Sequence, residues 1–175
     1  MNQSIKTDIE EKVAEKATKN SIYFVGGEKG GVGKSFFARC LVDYFVTRGW
    51  KKEFILIEGD PTINDVGCVF EDNHEQVKFS DDRFLAHEPN IIVDGIENKS
   101  SVVNLPSNVT KEFDSWMDTA GVFSLKEQYI ENMAYFFVSD GCWRSVELFI
   151  RQVEKYDLEK LPHCLVLNKG RLTNA

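Results

Sequence analysis

The chain has 175 residues, 42% of them hydrophobic, and a formal net charge of −7, which suits one globular domain with a real core and leaves room for at most two small ones. The acidic balance argues against a general nucleic-acid binder, which carries a basic face. No apolar run approaches the ~20 residues of a membrane span, and the polar N-terminus does not read as a secretion signal. With no membrane segment and no sign of export, a cytoplasmic protein is expected.

Residues 1–20 are charged or polar and read as a peripheral arm, so the domain proper is taken as 21–175. Ser21–Val25 is a short apolar run expected to be a buried strand. Five glycines in the eight positions Gly26 to Gly33 mark a loop. From Ser35 to Arg48 the apolar period changes to helical, with Phe36, Phe37, Cys40, Leu41, Tyr44 and Phe45 on one face and Gly49 at the end. Glu53–Ile57 reads as a second strand, closed by Glu58-Gly59-Asp60-Pro61. Gln76–Phe79 is a candidate strand. Ile91–Val93 reads either as a strand or, with Pro89 in its first turn, as a helix that includes Ile96.

Ser101–Leu105 reads as a strand stopped by Pro106. Asn108–Ala120 reads as a helix stopped by Gly121. Met133–Val138 is a strand, Trp143–Tyr156 an amphipathic helix built on Val146, Phe149, Ile150 and Val153, and His163–Leu167 a last strand. Strands that alternate with helices imply an α/β fold, a mostly parallel sheet with helices on both faces. Ligands in such sheets sit at the carboxyl ends of the strands. The glycine loop, Asp60, Asn104 and Asn168 all follow strands and share that edge. Cys40, Cys68, Cys142 and Cys164 lack the spacing of a zinc or redox motif. Most have apolar neighbours, so buried free thiols are expected. Trp116, Trp143 and the phenylalanines are expected in the core or an interface.

The loop reads Glu28-Lys29-Gly30-Gly31-Val32-Gly33-Lys34-Ser35. The strict Gly-x4-Gly-Lys-Ser spacing would place glycine at 28, where glutamate stands. The chemistry survives that change. Glycines let backbone N–H groups turn inward around phosphates, and the helix that follows offers its positive end to an anion. Lys34 can neutralise β- and γ-phosphates and the Ser35 hydroxyl can ligate Mg²⁺. Gly30, Gly31, Val32, Gly33, Lys34, Ser35 and Phe36 are therefore the candidate triphosphate cradle.

With its early lysine, Lys-Gly-Gly-x-Gly-Lys-Ser resembles the deviant Walker A motif of the ParA/MinD-type ATPases. The resemblance runs from about Ser21 to Lys169. It implies a P-loop NTPase fold of the SIMIBI type, ATP and Mg²⁺ as ligands, and a homodimer with nucleotide sandwiched between subunits. Lys29 matches the signature lysine, which reaches the partner subunit's phosphates. Glu58-Gly59-Asp60-Pro61 resembles the family's acidic switch segment, so Asp60 is assigned to the attacking water and the metal shell. Ser101-Val102-Val103-Asn104-Leu105-Pro106 resembles the family's metal-site strand, with Asn104 where aspartate is usual. Ile91-Ile92-Val93-Asp94-Gly95 is a rival alignment that supplies the acid.

Leu165-Val166-Leu167-Asn168-Lys169 resembles the strand whose final Asn reads adenine, since an amide offers both donor and acceptor to a purine edge. A guanine signature would need aspartate at 171, where Arg171 stands. Leu105-Pro106, Phe113, Trp116 and the Phe136-Phe137 strand also resemble a plasmid-mobilisation branch, the MobD/StbB-like ATPases. The family's final helices have no counterpart after Asn168, and the N-terminal arm is a candidate to replace them.

The expected function is an ATP-hydrolysing switch that dimerises around ATP in plasmid partition, mobilisation or conjugal transfer, with a partner protein that stimulates or reads it. Lys29, Lys34 and Asp60 would carry catalysis, and Ser35, Asp60 and Asn104 the metal. Two alternatives stay open: a nucleotide-holding adaptor with little turnover, which the neutral Asn104 suggests, and a small-molecule phosphotransferase, which needs an acceptor pocket.

Overall fold

Six parallel strands make one sheet among the residues that the computed structural model describes, 20–48, 54–60, 66–70, 74–94 and 99–171. They are β1 (Asn20–Gly26), β2 (Phe54–Glu58), β3 (His74–Gln76), β4 (Ser100–Asn104), β5 (Ile130–Ser139) and β6 (His163–Leu167). Their order across the sheet is β3-β2-β4-β1-β5-β6, and each neighbouring pair runs parallel. The helices are α1 (Lys34–Thr47), α2 (Ile91–Asp94), α3 (Thr110–Thr119), α4 (Val122–Tyr129) and α5 (Trp143–Lys155). The chain is an α/β fold.

A central parallel strand is covered on both sides, so it needs apolar residues at successive positions. β1 meets this with Ile22, Phe24 and Val25, all fully buried. Its alternation divides the core in two. Ile22 and Phe24 pack with Ile57, Val103, Phe137 and Phe113. Tyr23 and Val25 pack on the other side with Leu56, Val102, Val138, Ala38 and Val42.

Right-handed crossovers explain which helix lies where. The connections β1-α1-β2 and β2-β3 run toward one edge of the sheet. Accordingly α1, Val66 and Phe70 share one face. The connections β3-β4, β4-β5 and β5-β6 run the opposite way, and Ile92, Phe113, Trp116, Val122 and Phe149 cover the opposite face. The first set of connections leaves β1 leftward and the second leaves β4 rightward. That reversal opens a crevice at the carboxyl ends of β1 and β4, where open α/β sheets bind ligands.

The expected strands and helices are found within a few residues, with four differences. Ile91–Asp94 is a short helix continuing a 3₁₀ turn at Glu88–Asn90, which settles that ambiguity for the helix; Ile96 lies outside the described residues. The third strand is His74–Gln76, not Gln76–Phe79, although the Val77 amide still bonds the Glu58 carbonyl at 2.9 Å. α4 was not anticipated, and β5 begins three residues earlier than expected because its exposed Glu131 and Asn132 hide the apolar pattern.

The inward face of α1 is also rotated. Lys34, Ala38, Val42 and Phe45 are buried, whereas Phe36, Cys40 and Tyr44 are exposed. The position of Lys34 at the crevice fixes the helix phase, so Ala38 and Phe45 rather than Phe36 and Tyr44 meet the sheet. Contrary to expectation the cysteines are not buried. Cys40, Cys68 and Cys164 are exposed and Cys142 is half-buried. Trp116 lies in the core, but Trp143 is 78% exposed. The peripheral arm, apart from Asn20, lies outside the described residues, as do Gly49, Glu53 and Pro61.

Candidate functional site

The loop between β1 and α1 is shaped by three glycines with positive φ: Gly27 (145°), Gly31 (72°) and Gly33 (104°). A side chain at Gly27 would bring Cβ to 2.6 Å from the Val138 carbonyl oxygen. Glu28 has no such constraint, since the only non-glycine residue with positive φ among those described is Asn108. This is why glutamate is accommodated at 28, where its carboxylate accepts a hydrogen bond from Thr110.

Gly33 caps α1. The Phe37 amide is the first to bond back, to the Gly33 carbonyl at 2.9 Å. The amides of Lys34, Ser35 and Phe36 precede it and have no helical acceptor. They are the orphan donors a helix offers to an anion. In front of them opens a cleft of about 510 Å³ lined by Gly30, Gly31, Gly33–Phe36, Glu58, Asp60 and Asn104–Ser107. This lies within the usual size range of small-molecule sites.

Lys34 is buried, and burial lowers its pKa below the ordinary lysine value. Its ammonium donates to Ser107 Oγ at 2.7 Å and to the Lys29 carbonyl at 3.3 Å. The cleft is therefore built with its cation already oriented. Lys29 lies on the loop's outer side and pairs with Asp140, just beyond β5. That contact holds the Asp140 carboxyl down at about 2 and raises the Lys29 ammonium.

Register places the polar floor. Glu58 and Asn104 are the last residues of β2 and β4 and are direct partners. They point to the α1 side, as Leu56 and Val102 do two residues earlier. Asn104 Nδ2 donates to Glu58 Oε1 at 2.6 Å and lies 3.4 Å from Ser35 Oγ. Asn104 Oδ1 is buried without a hydrogen-bond partner among the described residues. Asp94, the rival acid, is exposed at the end of α2 and does not line the cleft.

The structure thus brings Gly30, Gly31, Gly33, Lys34, Ser35, Phe36, Asp60 and Asn104 to one cleft. Val32 is buried beneath it, and Lys29 turns outward. Asn168 supports the loop: its Nδ2 donates to the Val32 carbonyl at 2.8 Å, and its Oδ1 accepts from the Gly170 amide at 3.1 Å. Three site residues escaped sequence reasoning. Ser107 and Asp140 each follow a strand on the ligand-binding edge, a positional signal that was available. Glu58 was noted only as a departure from aspartate. Among the described residues no three His, Cys, Asp or Glu side chains cluster as a metal cage, and no helix is long and apolar enough to cross a membrane.

No protein-family model matches the chain. Over 55 residues it is 44% identical to Protein MobD of Acidithiobacillus ferrooxidans, a stretch covering 31% of this chain and 23% of that protein.

Proposed function

We propose that this chain binds ATP with Mg²⁺ through Gly30–Phe36 and works as a ParA/MinD-like switch of P-loop type that dimerises around the nucleotide. One observation carries the reading: a glycine-shaped loop presents orphan amides and a buried lysine to a cleft at the point where the sheet connections reverse. The residues present suit the ligands. Lys34 faces the cleft as a cation for phosphate oxygens. Ser35 and Asn104 offer oxygens, one of them an orphan acceptor, to a hydrated Mg²⁺ shell.

In this reading the loop amides and Lys34 bind the triphosphate, and Ser35, Asp60 and Asn104 hold the metal directly or through its waters. Bound Mg²⁺ would neutralise charge on the β- and γ-phosphates. Asp60, on the cleft wall, orients the attacking water. Lys29 serves the partner subunit's phosphates. The likeness to a protein named MobD supports plasmid mobilisation as the process.

A second reading, a nucleotide-holding adaptor with slow turnover, is favoured by the neutral amide of Asn104 among the metal-side residues. Titration with a fluorescent ATP analogue, with Lys34→Ala as the comparison, tests binding; no affinity for the analogue refutes it. Size measurement with ATP, ADP and no nucleotide tests the switch. Mg²⁺-dependent phosphate release that vanishes in Asp60→Ala separates the ATPase from the adaptor.

A further inference from the structure

The metal-side strand, β4, ends in an amide rather than an acid, yet the acid is not lost from the site. It stands one strand over. Glu58 is 2% exposed and Asn104 is 4% exposed. They are register partners on the face that looks toward Ser35, and both line the cleft. The Asn104 amide reaches both neighbours: Nδ2 donates to Glu58 and lies within hydrogen-bond range of the Ser35 hydroxyl. Its other end, Oδ1, is a buried acceptor with no donor among the described residues. A buried acceptor without a donor is unfavourable, and such a group at the rim of a ligand cleft marks a place for a donor from outside. A water of a hydrated cation is such a donor.

We propose that Glu58 supplies the carboxylate of the Mg²⁺ site, with Asn104 as its hydrogen-bonding relay. The negative charge has moved from the end of β4 to the end of β2, and the pair replaces a single aspartate. Mg²⁺ keeps several waters and needs only one or two carboxylates beside phosphate oxygens, so a single buried glutamate suffices. Asn104 Nδ2 fixes the orientation of Glu58 Oε1, and Asn104 Oδ1 accepts from a metal-bound water. Asp60, two residues on and outside the strand, keeps the role of orienting the attacking water.

This inference rests on the reading that the cleft binds ATP. The test measures affinity for a fluorescent ATP analogue with Mg²⁺ and with EDTA, for wild type, E58Q and E58Q/N104D. Circular dichroism and the affinity in EDTA report whether each variant keeps its fold and loop. Wild type is expected to bind more tightly with Mg²⁺. E58Q is expected to lose that gain by roughly 10- to 100-fold, the usual effect of removing a metal-orienting partner, and to keep its affinity in EDTA. E58Q/N104D, with the acid back on β4, is expected to recover the gain. An E58Q variant that retains the full Mg²⁺ gain, or a double variant that stays at the E58Q level, overturns the proposal. Wild type that binds no analogue in either condition instead removes the ATP reading itself.

Discussion

Lys29 on the glycine loop and Asp140 beyond β5 form an ion pair across 111 residues of sequence, and the two partners differ in exposure, with 51% of the lysine side chain accessible and 8% of the aspartate. The lysine is therefore on the molecular surface but tethered within its own chain. A lysine that serves a partner subunit's phosphates must first leave that tether. Lys29→Ala is expected to bind ATP and to remain monomeric with it. Asp140→Asn is expected to dimerise at lower ATP than wild type. Size-exclusion chromatography with light scattering across an ATP series checks both, and a Lys29→Ala variant that dimerises normally removes the cross-subunit role.

The same pair sets a pH dependence. Asp140 titrates near 2 in the folded chain against an ordinary 3.8, chiefly because the Lys29 ammonium bonds it. A carboxyl depressed by folding contributes stability above its unfolded value, and that contribution disappears as pH falls through the folded one. The window is thus about pH 4 down to pH 2. The raised Lys29 gives the mirror effect, present below pH 10.5 and lost above it. The Lys29 end of the pair is half-exposed to solvent, which screens the interaction, so the effect is small. Urea-unfolding midpoints measured from pH 2 to 5 should fall less steeply for Asp140→Asn than for wild type; parallel slopes would argue against the pair.

Lys34 is held by Ser107 and the Lys29 carbonyl before any ligand arrives. Hydrogen bonds to a charged group contribute about 1.5–3 kcal/mol each, so Lys34→Ala should weaken ATP-analogue binding by roughly 10- to 150-fold. Ser107→Ala should do less, since it removes the lysine's anchor and leaves the charge. Titration calorimetry checks the ranking, and equal losses in the two variants would show that Ser107 itself contacts the ligand.

Much of this site was legible because local signals suffice for it. Glycine spacing, Lys34 and Ser35 report a loop leading into a helix, and the strand ends at Asp60, Asn104 and Asn168 report an edge. What was not legible depends on register and packing. That Glu58 and Asn104 are neighbours follows from the pairing of β2 with β4, which no local pattern encodes. The exposure of Phe36, Cys40 and Tyr44 follows from the helix phase fixed at Lys34. α4 is a two-turn helix with little periodicity, and only Val122 in it is buried.

The core offers a stability test away from the cleft. Phe113 is 1% exposed and lies edge-on to Phe24, with ring centroids 5.0 Å apart, and to Tyr135 at 5.8 Å. It joins α3 to the central strands β1 and β5. Phe113→Ala removes a buried ring and leaves a cavity, which costs about 3–5 kcal/mol. Denaturant unfolding should show that loss, and a loss below about 1 kcal/mol would show that α3 is not packed as described.

Asn168 gives the last test, because two roles for it predict different ligand profiles. As an adenine reader it would set base preference. The structure gives its amide to the loop, 2.8 Å from the Val32 carbonyl, and gives its oxygen to the Gly170 amide. It also fills the space beside Gly33, where an added Cβ would approach Nδ2 to 2.5 Å. A loop anchor affects every triphosphate alike, since all share the phosphates that the loop holds. Asn168→Ala is therefore expected to weaken ATP, GTP and CTP by similar factors. The net value of one hydrogen bond, about 0.5–1.5 kcal/mol, corresponds to roughly 2- to 12-fold. Competition against a fluorescent ATP analogue measures all three. A loss confined to ATP would assign Asn168 to the base, with its amide leaving Val32 when the purine binds.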